Sequence, residues 1–196
     1  MRINYGKAKG LREIVLSFDD GPHPKNTPKL LNLLKRENIK ALFFVLGQKI
    51  ESSKNMDIVK RAFEEGHIIG NHTYSHPNLK KLSDEKIKSE ILKTEELLKD
   101  FLTVPKLFRP PYGSTNIRVN KIISELGYTN VFWNVDTLDW KNRSIQWVKD
   151  AMHQINSRED SLVLMHDIHK STVDNVSNLI SDIKNQSNKY NFITYV

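Results

Sequence analysis

The stretch Glu13-Ile14-Val15-Leu16-Ser17-Phe18-Asp19-Asp20-Gly21-Pro22-His23-Pro24 organises the reading of this chain. Glu13 to Phe18 is an apolar strand. It runs into two adjacent carboxylates and then a turn, where Gly21 supplies backbone freedom and Pro22 and Pro24 stop the strand from continuing. Two acids side by side are electrostatically costly, because each raises the pKa of the other. Asp-Gly-Pro is also ordinary turn chemistry, so the stretch alone reads as a solvated corner. The rest of the chain reverses that reading. On an extended chain, neighbouring side chains point to opposite sides, so Asp19 and Asp20 are expected to face different ways and to take distinct roles.

Outward from this strand, strand and helix patterns alternate. Asn26 or Thr27 is placed to cap a helix with Pro28 in its first turn and a stripe of Leu30, Leu31, Leu33 and Leu34. Ile39 to Leu46 is a second strand. Met56 to Glu65 reads as a helix facing inward with Val59, Ala62 and Phe63, ended by Gly66. Ile68-Ile69 is a short strand leading into Gly70-Asn71-His72. Ser83 caps a long helix with Asp84 and Glu85 in its first turn, buried along Ile87, Ile91, Leu98 and Phe101. Lys106 to Phe108 is a strand. Asn116 to Leu126 is a helix with Val119, Ile122, Ile123 and Leu126 at i, i+3, i+4, i+7 spacing. Tyr128 to Val135 reads as one strand. Ser144 caps a helix carrying Val148, Ala151, Met152 and Ile155. Ser161 to Met165 is a strand, Val173, Val176, Ile180 and Ile183 mark the last helix, and Asn191 to Val196 the last strand. About seven strands separated by helices argue an α/β fold with a parallel sheet, either open and doubly wound or closed as a barrel. Links are short and no repeat is visible, so residues 1–196 are expected to form a single domain.

The chain has 196 residues, 38% hydrophobic and 27% charged, which fits a soluble globular protein. No apolar run approaches the roughly 20 residues of a transmembrane helix. Met1-Arg2-Ile3-Asn4-Tyr5-Gly6-Lys7 shows no apolar leader segment. There are no cysteines, so a metal would need His, Asp or Glu ligands. The net charge of +7 is scattered, with no basic run interleaved with aromatics. Specific nucleic-acid binding is therefore not expected; a solvated surface comes first and attraction to an anionic polymer second.

Unusual polar residues recur just past strand C-termini: Asp19 and Asp20, then His72 and His76, Arg109, Asp136 with Asp139 and Trp140, and His166 with Asp167. In parallel α/β folds that edge carries the active site. Two imidazoles four apart, as in His72-Thr73-Tyr74-Ser75-His76, can ligate one divalent ion from a helical turn or loop, although surface histidines show the same spacing. A zinc-protease helix needs Glu directly after the first His, and Thr73 stands there. Asp20 is the best third ligand, and two His with one carboxylate leave positions open for water and substrate. In Arg109-Pro110-Pro111-Tyr112 the prolines lack N–H groups, so the Tyr112 amide is the first free donor after Arg109 and could stabilise an oxyanion. Trp140 is either core or a platform for a sugar ring. His166 beside a carboxylate such as Asp139 would hold its proton, which suits a general acid.

The clusters Ser17-Phe18-Asp19-Asp20-Gly21-Pro22, His72-Thr73-Tyr74-Ser75-His76-Pro77, Arg109-Pro110-Pro111-Tyr112, Asp136-Thr137-Leu138-Asp139-Trp140 and Leu162-Val163-Leu164-Met165-His166 resemble, in order, the motifs of the NodB-homology polysaccharide deacetylases, carbohydrate esterase family 4. The resemblance implies a distorted (β/α) barrel of about seven parallel strands, related to the TIM barrel. It implies Asp19 as general base, Asp20, His72 and His76 as ligands of one divalent ion (zinc usually, or cobalt, manganese or nickel), Arg109 orienting Asp19, and the Tyr112 amide as oxyanion donor. It further implies Asp139 tuning His166 as general acid, and Trp140, Leu164 and Pro111 lining the pocket for the acetyl group. Ser17 stands where Thr is common. The implied reaction is N-deacetylation of N-acetylglucosamine units in peptidoglycan or a chitin-like polymer. Acetylxylan esterase activity and a non-catalytic carbohydrate-binding domain are the alternatives. The expected partner is the N-acetylated polysaccharide, and a monomer is expected. Most members act outside the cytoplasm, which the missing leader does not match.

Overall fold

The computed structural model describes residues 11–186 and 189–194. In chain order its elements are β1 (Arg12–Gly21), α1 (Asn26–Glu37), β2 (Ala41–Val45), α2 (Ser53–Glu64), β3 (Ile68–Asn71), α3 (Asp84–Leu98) and β4 (Lys106–Phe108). There follow α4 (Ile117–Glu125), β5 (Tyr128–Asn130), β6 (Val135–Asp136), α5 (Gln146–Asn156), β7 (Ser161–His166), α6 (Lys170–Lys184) and β8 (Tyr190–Phe192). The N-terminal stretch read for a leader, and residues 195 and 196 of the expected last strand, lie outside the described residues.

Among the described residues every strand pairing is parallel, and the order is β5-β4-β3-β2-β1-β7-β6 with β8 also beside β1. The two ends of that order, β5 and β6, are consecutive in the sequence, with only residues 131–134 between them. Such a link spans at most about 17 Å. A flat sheet of this many strands would be about 29 Å wide. The sheet must therefore curl until its edges approach, which makes a distorted (β/α) barrel. Among the described residues β5 and β6 do not pair, so the barrel keeps an open seam.

The seam corrects one expectation. Tyr128 to Val135 is not one strand. The Val131 N–H still donates to Phe108 O on the β4 edge (2.8 Å), whereas the Asn134 N–H donates to Leu162 O on β7 (3.2 Å). One stretch of sequence serves both edges, and among the described residues the sheet has eight strands.

The period-2 alternation of β1 divides the core. Ile14, Leu16 and Phe18 face outward and pack with Leu30, Leu31 and Leu34 of α1 and Val176, Ile180 and Ile183 of α6. Val15 faces inward with Leu42, Phe44, Ile68, Leu107 and Val131, filling the barrel below its upper rim. A third cluster fastens α3 and α4 to β4 and β5 through Ile87, Ile91, Val119, Ile123, Phe108 and Tyr128.

Local signals fared unevenly. Ser83 caps α3, accepting from the Lys86 N–H. Asn26 and Thr27 do not cap α1; both are buried and bond instead to the loop after β7, Asn26 Nδ2 donating to Ile168 O (2.9 Å) and the Thr27 hydroxyl to Asp167. Ser144 lies one residue outside the α5 cap, although its hydroxyl accepts the Gln146 N–H (3.3 Å). Phe63 is turned outward, edge-on to Phe101, and α2 buries Ile58, Val59 and Ala62. Phe101 itself follows the end of α3 and is only partly buried.

Candidate active site

β1 continues through both acids to Gly21, but its register with β2 shifts between Asp19 and Gly21, and Asp20 has φ 69°. This bulge cancels the expected alternation. Both carboxylates reach the same imidazole: Asp19 Oδ2 lies 3.7 Å and Asp20 Oδ1 3.5 Å from His72 Nε2. The left-handed residue is Asp20, not the glycine after it. Gly21 is required for space, since a Cβ there would stand 2.6 Å from the Asp167 carboxylate oxygens.

His72 and His76 lie on the loop after β3, not on a helical turn. Thr73 and His76 both have positive φ, 73° and 63°. His72 Nδ1 is 2.6 Å from Arg109 O; a carbonyl only accepts, so Nδ1 donates there and Nε2 is the ring nitrogen left facing Asp20. His76 Nε2 stands 3.2 Å from Asp20 Oδ1. The potential ligand atoms of Asp20, His72 and His76 all lie within 4.8 Å of one another.

These residues fit a divalent ion. Donors at about 2.0–2.1 Å from a tetrahedral centre stand about 3.4 Å apart, close to the 3.2 and 3.5 Å measured here. Asp20 Oδ1 is buried and has no hydrogen-bond donor of normal geometry among the described residues. Burial alone would raise the Asp20 pKa, but the neighbouring imidazole of His72, with His76 and His166 adding to it, holds it well below the usual carboxylate range. His76 is pushed down by burial, which Asp20 only partly opposes, so its neutral, ligating form is favoured.

Arg109 is fully buried at the top of the barrel interior. Its guanidinium lies 4.1 Å above the Phe44 ring, and Nε donates to Val131 O (3.0 Å). Nη1 donates to Ser17 Oγ (2.9 Å) and to Asp19 Oδ1 (2.7 Å). The Ser17 hydroxyl donates in turn to Val163 O. Asp19 is thus fixed by a charged donor over an apolar floor, with its other oxygen facing His72.

His166 is the register partner of Asp19 across the β1–β7 ladder. Its Nδ1 is 2.8 Å from Asp139 Oδ1, and its backbone N–H donates to Asp139 Oδ2 (2.8 Å). Thr137 and Thr172 hydroxyls also donate to this fully buried carboxylate. Burial opposes charging of His166, but the hydrogen bond and charge of Asp139 dominate, with Asp19 and Asp20 helping, and its pKa rises to about 9. Asp139 is burdened by its own burial, yet the His166 bond keeps it lowered. The pair is imidazolium and carboxylate at neutral pH.

The remaining expected residues fall around this centre. Pro111 is buried and Tyr112 has φ 60°, with its ring edge-on to His76 at 4.6 Å. The Tyr112 N–H has no acceptor among the described residues. Leu164 is buried on the same face of β7 as His166, and Trp140 is half exposed on the loop after Asp139. Asp136 is not drawn in; it accepts the Leu138 N–H and its backbone bonds to Gln154, so it shapes the turn. Asp167 is buried under Gly21, raised to about 7 by burial although the Thr27 hydroxyl bond lowers it. Sequence reasoning missed the supports: Ser17, which shares the inward face of Asp19 by strand period, was accessible, whereas Thr137 and Thr172 carried no signal.

A family model described as polysaccharide deacetylase matches residues 6–131. This chain belongs to the polysaccharide deacetylase family. A peptidoglycan-N-acetylglucosamine deacetylase of Listeria monocytogenes is 40% identical over 189 residues, 96% of this polysaccharide deacetylase chain but 39% of that protein. Another, from Bacillus cereus, is 40% identical over 191 residues, 95% of this chain and 67% of its own length. The structure of a chitin deacetylase from Colletotrichum lindemuthianum superposes with a TM-score of 0.82 at 31% identity, covering 94% of this chain and 88% of that one. The architecture is thus that of the polysaccharide deacetylases. No helix among the described residues is long and apolar enough to cross a membrane.

Proposed function

We propose that this polysaccharide deacetylase hydrolyses the N-acetyl group of N-acetylglucosamine units in a β-1,4-linked polymer, with peptidoglycan the first substrate and chitin-type chains the second. The observation that carries the reading is the convergence on one sheet edge of Asp20, His72 and His76, the Arg109-bound Asp19, and the Asp139-bound His166. Asp20, His72 and His76 would hold one divalent ion, with zinc the first candidate for an N,N,O donor set. When bound, that ion supplies Lewis acidity, acidifying water and polarising a carbonyl.

The chain's own residues do the rest. Asp19, aimed by the Arg109 guanidinium, removes a proton from the water that attacks the acetamide carbon. The Tyr112 N–H donates to the developing oxyanion. His166, kept protonated by Asp139, delivers its proton to the departing amine as the C–N bond breaks, leaving acetate and a free glucosamine amine. Water is the nucleophile, so no acyl-enzyme forms. Trp140 offers an exposed indole face to a sugar ring, and Leu164 and Pro111 enclose the acetyl methyl.

The test is acetate release from peptidoglycan, N-acetylglucosamine oligomers and acetylated xylan, after chelation and after add-back of single divalent ions. Chelation should abolish release from the first two substrates, and zinc, cobalt, manganese or nickel should restore it. No recovery with any ion, or activity confined to xylan, defeats the reading.

A further inference from the structure

The His72–His76 loop adopts a shape that its own residues do not favour. Thr73 is β-branched and His76 is bulky, and both sit at positive φ. Such a loop persists only where its surroundings over-determine it. Three supports are present. Asn71 Oδ1 accepts the Thr73 N–H (2.9 Å) while its own Nδ2 is tied to Ile91 O and Tyr128 Oη. The N–H groups of Gly47 and Gln48 donate to Thr73 O and Tyr74 O. The third support is a carboxylate from the middle of α3. Glu90 Oε2 accepts the N–H groups of Tyr74 (3.0 Å) and Ser75 (2.8 Å), and Oε1 accepts the Ser75 hydroxyl (2.8 Å).

A glutamate on a helix surface can pair with a lysine three or four residues away. Here Lys93 lies over the Tyr74 ring instead, 5.3 Å from its centroid, and Glu90 spends both oxygens on the segment between the two imidazoles. Charge-assisted bonds to consecutive backbone donors fix orientation as well as distance. The packing around that segment leaves it little slack: a Cβ on Gly47 would stand 2.4 Å from Thr94 Oγ1 and 2.8 Å from the Tyr74 ring.

The geometry points to Glu90 as a positioning residue, which holds His76 in register with His72 and Asp20 and so sets metal affinity without touching the ion. This rests on the metal-site reading above. Partners one step removed from the ligands typically change metal affinity 10–100-fold when lost.

The experiment titrates Co²⁺ and Zn²⁺ into metal-stripped wild type, Glu90→Ala, Glu90→Gln and His76→Ala, following heat and the Co²⁺ visible spectrum, with a thermal melt of each apo-protein. Glu90→Ala should bind about 10–100-fold more weakly, with an altered Co²⁺ band. Glutamine keeps a carbonyl oxygen for the two N–H groups, so Glu90→Gln should stay within about threefold of wild type and keep the wild-type band. Wild-type affinity and spectrum in Glu90→Ala would overturn the inference, even with a lowered melting point, since the role would then be structural only. Equal weakening in both Glu90 variants would overturn it in favour of a charge effect. If His76→Ala loses binding while Glu90→Ala does not, the metal-site reading stands and this inference alone fails. If the wild type binds neither ion, both fall.

Discussion

Asp139→Asn separates the charge at His166 from its position. The substitution is isosteric, and the three donors to Asp139, the His166 N–H and the Thr137 and Thr172 hydroxyls, can be served by one carbonyl oxygen and by rotation of a hydroxyl. What changes is the group facing His166 Nδ1. An amide NH₂ there donates, so Nδ1 must accept, and the imidazole is left neutral with its proton on Nε2. The rise of the His166 pKa from 6.5 to about 9 corresponds to about 3 kcal/mol of preference for the imidazolium. Asp139 is its largest favourable source, and the opposing burial remains after substitution. His166 should therefore fall below its ordinary value and be neutral at pH 7. Loss of a general acid costs about 10²–10⁴ in rate. The assay is the pH profile of kcat/KM for acetate release. Wild type should lose activity as pH rises toward 9, and the variant should have its alkaline limb displaced below 7 with a depressed maximum. The folded-state pKa is raised, so the stability from this pair is fully present below 6.5 and lost as pH rises through about 9; the variant should lack that alkaline loss. An alkaline limb that stays in place would refute the assignment of His166 as the acid.

Other substitutions test the division of labour. Asp20→Ala should lose metal binding and activity together, whereas Asp19→Asn should keep the metal and lose turnover; equal metal loss measured by calorimetry would refute the separate roles. Arg109→Met removes the counter-charge of a buried carboxylate, and the denaturation midpoint should report a loss of about 3–5 kcal/mol along with the activity. Gly70→Ala places a Cβ 2.5 Å from the Phe44 ring and 3.3 Å from Leu107 O. That overpacking under Arg109 should cost about 1–3 kcal/mol in thermal or urea melts; an unchanged midpoint would refute the tight interior packing described here.

The fold was legible where periodicity and length agree. The leucine stripe of α1 is buried as read, and so are Val119, Ile122 and Ile123 of α4, while Leu126 falls at the end of that helix and is only partly buried. Tyr128 to Val135 was not legible as two strands, because a continuous run carries no mark of the point where the chain crosses from one edge of the sheet to the other. At the site, the residue types were readable and the directions were not. Alternation placed Asp19 and Asp20 on opposite sides, and a bulge with Asp20 at φ 69° brought them together. Nothing in a single sequence announces a left-handed aspartate ahead of a glycine that itself needs only space. Supports such as Glu90 and Thr172 are ordinary helix residues until the tertiary structure sets them beside the site.

The pairing of Asp19 with His166 also has a consequence in time. As the chain leaves the ribosome, Asp19, Asp20, His72 and His76 have all emerged by position 76, while His166 follows much later. β7 then enters between β1 and β6, joining an early segment of the chain to a late one. Ladders between segments so far apart in sequence form late, because the intervening chain must be closed first. The three residues proposed to hold an ion are thus made before the residue proposed to protonate the departing amine. An unfinished chain carries the first without the second until β7 pairs with β1 and sets His166 beside Asp19.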